Sequence, residues 1–365
     1  MTKLIDVLAK PDILLSLTPV MQSDIIAEAR YFNMLAQLKA ACERCQIWAD
    51  LPDKLRQHMN AANYTFINQQ KQLRYEASVL ANIFDALNVK WIYLKGSAYQ
   101  LAELNEFQGR IMADIDILVS QTALNRVEVA LKANGWVHTA LNDYDDKYYR
   151  EKSQEIPPLK HVERQTEIDL HFNILPNTLK KSPDPTELLN QTIDINKEQS
   201  GAQILNPQAM VIHSAIHLFH EGEFNKGLRD LYDLFLLFST FSQQPRFWSE
   251  LTELQKKLGN GDSVFYALRY CNKLFNMPVP TDIQAFYNRY RPNPINLKVL
   301  DVAFQQIFSH HFPPHRRTTH SMVETILYVR GHLKRMPLHM LVPHLIVKSI
   351  KSLVEKDDKE SDLIF

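Results

Sequence analysis

The chain has 365 residues, enough to bury a sizeable core and to divide into two or three packed units. Its 41 Lys+Arg balance 41 Asp+Glu, which excludes a protein whose main work is to coat nucleic acid through an overall basic field. A composition of 45% hydrophobic and 22% charged residues with only 9 Gly excludes the disordered and fibrous classes.

The first residues, MTKLIDVLAKPDILL, carry acidic side chains inside their apolar stretch and no small-residue cleavage pattern, so no secretory signal is read there. No uncharged run approaches the roughly 20 residues that span a bilayer, and no transmembrane segment is expected. The expected location is cytoplasmic, and the sparse, odd set Cys42, Cys45 and Cys271 fits a reducing compartment. Cys42 and Cys45 form a C-x-x-C inside an expected helix, without a second pair, and are read as packed helix residues.

From Lys3 to about Leu87 apolar residues recur at helical spacing, with Leu73, Ala77, Leu80, Phe84 and Leu87 on one stripe. The pattern then changes to a short β-branched and aromatic run, Lys90 to Lys95, closed by Gly96 and Ser97, which predicts a strand passing at once into a helix. A second apolar run, Ile111 to Val119, contains Asp114 and Asp116; Ser120 is a candidate N-cap for a helix through Leu124, Val127 and Leu131, with Gly135 as the stop. Segments Trp136–Ala140, Tyr148–Arg150, Leu159–Arg164 and Glu167–Phe172 read as antiparallel additions to the same sheet, with a hairpin break at Gln165 and Thr166. After Pro207 the period is helical nearly to the end, punctuated by Pro292, Pro294, Pro313, Pro314, Pro337 and Pro343, and the charged tail Glu355–Asp362 is expected to fray. The expected fold is α+β: an N-terminal helical segment (1–75), a core with a mixed β-sheet (76–200) and a C-terminal all-helical domain (201–365).

Strand residues alternate faces, so Asp114 and Asp116 project from one side while Ile115, Ile117 and Val119 anchor the other. Two carboxylates about 7 Å apart along a strand repel one another when buried and unpaired, and a divalent cation removes that conflict. Glu167-Ile168-Asp169-Leu170-His171-Phe172 repeats the device, and if the two strands are neighbours Asp169 completes a three-carboxylate cluster. Two-metal phosphoryl chemistry uses such clusters, and oxygen donors without Cys suit Mg²⁺ or Mn²⁺ better than Zn²⁺. Gly96 would let a phosphate approach the backbone closely, Ser97 offers a hydroxyl donor, and Lys95 and Arg110 are nearby cations, Arg110 a candidate for the outer phosphates of a triphosphate.

Each assignment has a plainer counterpart. Asp114 and Asp116 could mark an edge strand protected by charge, Glu167 could replace Asp169 as the ligand, and Lys95 could reach out to solvent. His171 could orient a carboxylate, contact a base or serve as a hydrogen-bonded structural residue. His213, His217 and His220 share a helical face without an H-E-x-x-H pattern, and are read as a polar face beside the sheet, lining a cleft with Arg229, Asp230 and Asp233, in preference to a zinc site. Between Arg316 and Lys351 the cations Arg316, Arg317, Arg330, Lys334, Arg335, Lys348 and Lys351 face only Glu324 as an acid. That stretch is a candidate surface for an anionic partner, RNA or a membrane, or else a solvated helix face.

Lys95-Gly96-Ser97, then Asp114-Ile115-Asp116, then Ile168-Asp169-Leu170 resemble the hG[GS]…DhD…hDh signature of the polymerase-β-like nucleotidyltransferase superfamily. With Arg110 ahead of the acidic strand and the helical Leu228-Arg229-Asp230-Leu231-Tyr232-Asp233-Leu234, the stretch from about 76 to 240 looks like the bacterial group of uncharacterised nucleotidyltransferases. The resemblance implies an enzyme that moves an NMP group from a nucleoside triphosphate to an acceptor and releases pyrophosphate. It implies that Asp114 and Asp116 hold two Mg²⁺ (or Mn²⁺) ions, that Asp169 holds the catalytic one and helps activate an acceptor hydroxyl, and that Gly96 and Ser97 bind the triphosphate. It leaves the acceptor open between a small molecule, a protein and RNA. An inactive member that binds a nucleotide or a partner, and an RNA-modifying transferase, remain the alternatives.

Overall fold

The structure, a computed structural model, describes residues 2–139, 150, 153–175, 187, 189–195, 202–220 and 222–335. Helices α1 (Leu4–Ala9), α2 (Ile13–Ser16), α3 (Pro19–Tyr31), α4 (Leu35–Arg44) and the long α5 (Asp53–Ala86) lead into β1 (Trp91–Tyr93), α6 (Lys95–Leu101), β2 (Ile115–Val119), α7 (Leu124–Ala133) and β3 (Trp136–His138). β4 (Leu159–His161), β5 (Glu167–His171), β6 (Thr192–Asp194) and β7 (Ala202–Leu205) complete the strands. The remainder is helical: α8 (Pro207–His220), α9 (Gly227–Phe241), α10 (Phe247–Leu258), α11 (Asp262–Phe275), α12 (Thr281–Tyr287), α13 (Pro294–His310) and α14 (His320–Arg335). This is the α+β arrangement expected from the sequence, a mixed sheet between two helical regions.

Local chemistry accounts for the element ends. Thr18 accepts a hydrogen bond from the Met21 N–H with Pro19 in the first turn of α3, and Asn293 does the same for Asn296 with Pro294 opening α13. The stripe Leu73, Ala77, Leu80 and Phe84 is the buried side of α5. Ser120 does not cap α7: the Ala123 N–H bonds to the Ser120 carbonyl in a turn, and the helix begins only at Leu124. Gly135, at φ +87°, follows the end of α7 as expected.

The strands form one sheet in the order β3-β4-β5-β2-β1-β7-β6. β1 pairs antiparallel with β2 and parallel with β7, while β3, β4 and β5 pair antiparallel in sequence. One expectation is corrected here: β5 runs parallel to β2, with Asp116 and Asp169 as register partners. A second correction concerns length. β2 starts at Ile115 and not at Ile111, because the Gln69 side chain of α5 accepts from the Met112 N–H and donates to the Met112 carbonyl, both at 2.7 Å, and so replaces the ladder bonds there. The β4–β5 hairpin turns at Gln165, which adopts φ +60°. Position 140 of one expected strand, positions 148 and 149 of another, and the part of the basic stretch and tail beyond 335 lie outside the described residues. The sheet also contains the β6–β7 hairpin, which the periodicity did not predict.

One contiguous apolar core runs from Leu4 and Leu38 through Trp91, Ile117 and Leu170 to Leu237 and Phe304. Two charged clamps hold the site's supports to it. Glu76 of α5, fully buried, accepts from Arg164 Nε at 2.7 Å, Arg164 Nη2 at 3.0 Å and Thr166 Oγ1 at 2.8 Å, fixing the β4–β5 turn. Arg110, just ahead of the acidic stretch, donates from Nε to both carboxylate oxygens of Asp233 on α9, at 3.0 and 2.7 Å. Gly109 makes room for this: at φ +82°, a Cβ there would lie 2.2 Å from the Ala36 carbonyl oxygen.

Candidate active site

Asp116 lies on β2 and Asp169 beside it on β5, while Asp114 sits in the bend that leads into β2. A carboxylate oxygen from each of the three comes within 4.8 Å of the other two. β2 is interior to the sheet, between β5 and β1, so protection of an exposed edge does not explain its acids. Glu167 points its charge elsewhere, 3.2 Å from Lys160 Nζ.

The three carboxylates are not equivalent. Asp116 is buried, and its Oδ1 accepts from Lys95 Nζ at 2.7 Å and lies 3.0 Å from His171 Nε2. Burial opposes its charge, yet Lys95 and His171 outweigh burial and hold its pKa far below the usual carboxylate range. Asp114 and Asp169 are half-buried and, among the described residues, their carboxylates make no hydrogen bond or ion pair. Burial and then repulsion from Asp116, Asp114 and Glu155 push Asp169 up to about 7. Burial and the Asp116 charge likewise raise Asp114, against the pull of Lys95, Lys226 and Arg229.

The surrounding groups tune this cluster. Lys95 loses by burial but gains more from Asp116, so its ammonium stays charged. His171 bridges two acids, with Nδ1 3.1 Å from Glu155 Oε2 and Nε2 facing Asp116; burial pulls its pKa down and the two acids raise it further. Glu155 was not singled out in the sequence, where it is one acid among many charged residues of a loop; only its bridge to His171 across the β5 edge identifies it. His213 and His217 of α8 feel the charges of Lys95 and Asp116, and burial followed by Lys95 lowers both, His213 to about 3, so they present neutral rings to the site. His220 belongs elsewhere, beside Ser263 Oγ and the Ile216 carbonyl.

The residues expected at the phosphates are placed as follows. Lys95 reaches Asp116 and does not extend to solvent. Gly96 packs under Met112, whose Cγ would stand 2.9 Å from an added Cβ. Ser97 is buried and donates its hydroxyl to the Leu94 carbonyl at 2.7 Å. Arg110 is buried against Asp233, with Asp230 at 3.6 Å. A cavity of about 320 Å³ opens next to Asp114, lined by Tyr31, Phe32, Met112, Ala113, Lys226 and Arg229 among others. Arg229 is held in place there by Asp230 at 3.0 Å, and Lys226 is exposed. Of the basic C-terminal stretch, Arg330 and Lys334 turn inward, to the Phe219 carbonyl and Asp262, while Arg316 is exposed and donates to the His311 carbonyl.

A mixed sheet that brings two acids together on neighbouring parallel strands and a third from the bend before one of them, beside a cationic cavity, has the make-up of a nucleotidyl-transfer domain. The family described as "Uncharacterised nucleotidyltransferase" matches residues 19–276, and the chain belongs to that family. The match extends the resemblance on both sides, into α3 and α11. Neither a curated protein nor a solved structure matches the chain. Membership carries nucleotidyl transfer as the general activity. Among the described residues no helix is long and apolar enough to cross a membrane.

Proposed function

We propose that this protein moves an NMP group from a nucleoside triphosphate to an acceptor hydroxyl, with Asp114, Asp116 and Asp169 holding Mg²⁺ or Mn²⁺. The observation that carries the proposal is the pair of unpartnered, half-buried carboxylates, Asp114 and Asp169, within 4.8 Å of each other and of Asp116. Such a group of oxygen donors is costly without a cation and is the donor set hard divalent ions prefer. When bound, the ions supply charge neutralisation on the transferring phosphoryl group and orientation of the triphosphate.

In the reaction the acceptor oxygen forms a bond to the α-phosphorus, the bond from that phosphorus to the bridging oxygen breaks, and pyrophosphate leaves. Asp169 orients the acceptor and takes its proton on a carboxylate oxygen. Lys95 and His171 fix Asp116, and Lys226 and Arg229 face the outer phosphates from the cavity wall. Tyr31 and Phe32 offer aromatic surface for a base in the same cavity. Lys95, Gly96, Ser97 and Arg110 act one step back, setting the β1–α6 turn and the approach to β2. The acceptor is a small molecule, a protein or RNA, and the expected partner is the nucleoside triphosphate.

The test is pyrophosphate release by purified protein with each NTP, Mg²⁺ and a panel of acceptors. Release by the wild type and none by Asp114→Asn supports the proposal; equal release by both contradicts it. A second reading, nucleotide binding without turnover, draws on the Lys95 ammonium lying on Asp116 where a cation would compete. Calorimetric NTP binding combined with absent pyrophosphate release would favour it.

A further inference from the structure

Away from the carboxylates, the corner between α13 and α14 gathers a different donor set. His311 caps the C-terminal end of α13, His320 is the first residue of α14, and Glu324 follows one turn later on the same helix face. One ligand atom from each lies within 4.8 Å of the other two. Glu324 Oε1 is 3.2 Å from His320 Nε2 and 3.6 Å from His311 Nδ1. Zinc bonds of about 2.0–2.1 Å at tetrahedral angles require donors about 3.3 Å apart, so two of the three separations already match.

The environment of the rings points the same way. His311 is 2% and His320 4% exposed, and none of their four ring nitrogens makes a hydrogen bond. A buried polar group left without a partner costs about 1–3 kcal/mol, and these two rings stand 5.2 Å apart, tilted at 49°. A shared ion satisfies one nitrogen of each. Two imidazoles with one carboxylate suit Zn²⁺, in contrast to the oxygen-only triad. Glu324 is 41% exposed on its side chain and borders a cavity of about 310 Å³, which gives an ion access and leaves room for a water as fourth ligand. Other bonds hold the corner without an ion: Arg316 Nε donates to the His311 carbonyl at 2.9 Å and Thr319 Oγ1 to Gln306 at 3.1 Å.

We propose that His311, His320 and Glu324 form a zinc site, separate from the carboxylate triad, that fastens the start of α14 to the end of α13. Its position links it to the cleft. The rings of Tyr31 and Phe32, which line the cavity beside Asp114, each lie 6.2 Å from the His311 ring. The ion therefore steadies the wall of the nucleotide cavity from behind.

The test is a competition titration of chelator-stripped full-length protein with Zn²⁺ against a chromophoric chelator, in excess Mg²⁺. The wild type and Asp114→Asn should each bind one Zn²⁺ tightly, while Glu324→Gln and His320→Ala weaken binding by about ten-fold or more. Zn²⁺ should raise the melting temperature of the wild type and not that of Glu324→Gln, whose exposed position makes it safe for folding. Co²⁺ should give the absorption of a tetrahedral centre that His320→Ala loses. Equal Zn²⁺ affinity in wild type and Glu324→Gln, or tight binding lost in Asp114→Asn and kept in His320→Ala, overturns the proposal.

Discussion

Asp114 and Asp116 differ by two positions in sequence and entirely in circumstance. Asp116 is locked between Lys95 and His171, so Asp116→Asn would strand a buried ammonium and report on folding as much as on chemistry. Asp114 has no such partner, and burial with the Asp116 charge raises its pKa. Asp114→Asn is therefore expected to remove turnover with an unchanged or slightly higher melting temperature, checked by pyrophosphate release beside thermal unfolding. A second carboxylate makes a stability prediction far from the site. Glu28 is 2% exposed, accepts from the Leu4 N–H at 2.7 Å, and is pushed by burial from 4.5 to about 7. An acid raised on folding contributes stability below its unfolded value and loses it as pH rises through the folded one. Stability should thus fall between pH 5 and 8 by up to about 3 kcal/mol through this group. Glu28→Gln keeps an acceptor for Leu4 and should flatten that fall, leaving melting at pH 5 little changed and raising it at pH 8.

At the level of elements, the apolar pattern located the second half of α5 by its stripe from Leu73 to Phe84, β1 and β2 as apolar runs, the start of α6 at Gly96, and α7 with Gly135 just beyond it. Two features were hidden. The parallel pairing of β5 with β2 is a long-range choice that no local pattern encodes, and β6 and β7 are short strands, β6 partly exposed, without a diagnostic alternation. The start of β2 was misplaced because a side chain of α5, Gln69, competes for the Met112 backbone, a contact 43 residues distant in sequence. The clamp between Arg110 and α9 is of the same long-range kind. Asp233→Ala takes away the bidentate partner of the buried Arg110 guanidinium and leaves it Asp230 at 3.6 Å, which should cost about 3 kcal/mol of stability. Urea unfolding measures it, and a loss below 1 kcal/mol would show the clamp to be dispensable.

Across the whole molecule, the three acids of the site were legible because the apolar alternation and the order of the motifs both marked them, and His171, His213 and His217 were read beside them, whereas Glu155, which comes from a loop, was not. What the sequence did not show is that burial keeps the His213 and His217 rings neutral. The residues nearest the expected phosphates, Lys95, Ser97 and Arg110, turned out to have internal partners, while the exposed Lys226 and the anchored Arg229 face the cavity. Within the basic C-terminal stretch Arg330 lies over Tyr266 and Phe304 and Lys334 meets Asp262, while Arg316 and Arg317 are exposed. The proposed activity requires that Asp114, Asp116 and Asp169 converge on cations that also grip a triphosphate. Electron paramagnetic resonance of Mn²⁺, titrated into the protein with and without a non-hydrolysable NTP, tests it most directly. Mn²⁺ should bind the wild type, bind more tightly with the NTP, and be lost in Asp114→Asn; Mn²⁺ and NTP held equally by the variant would rule out the triad as the metal site.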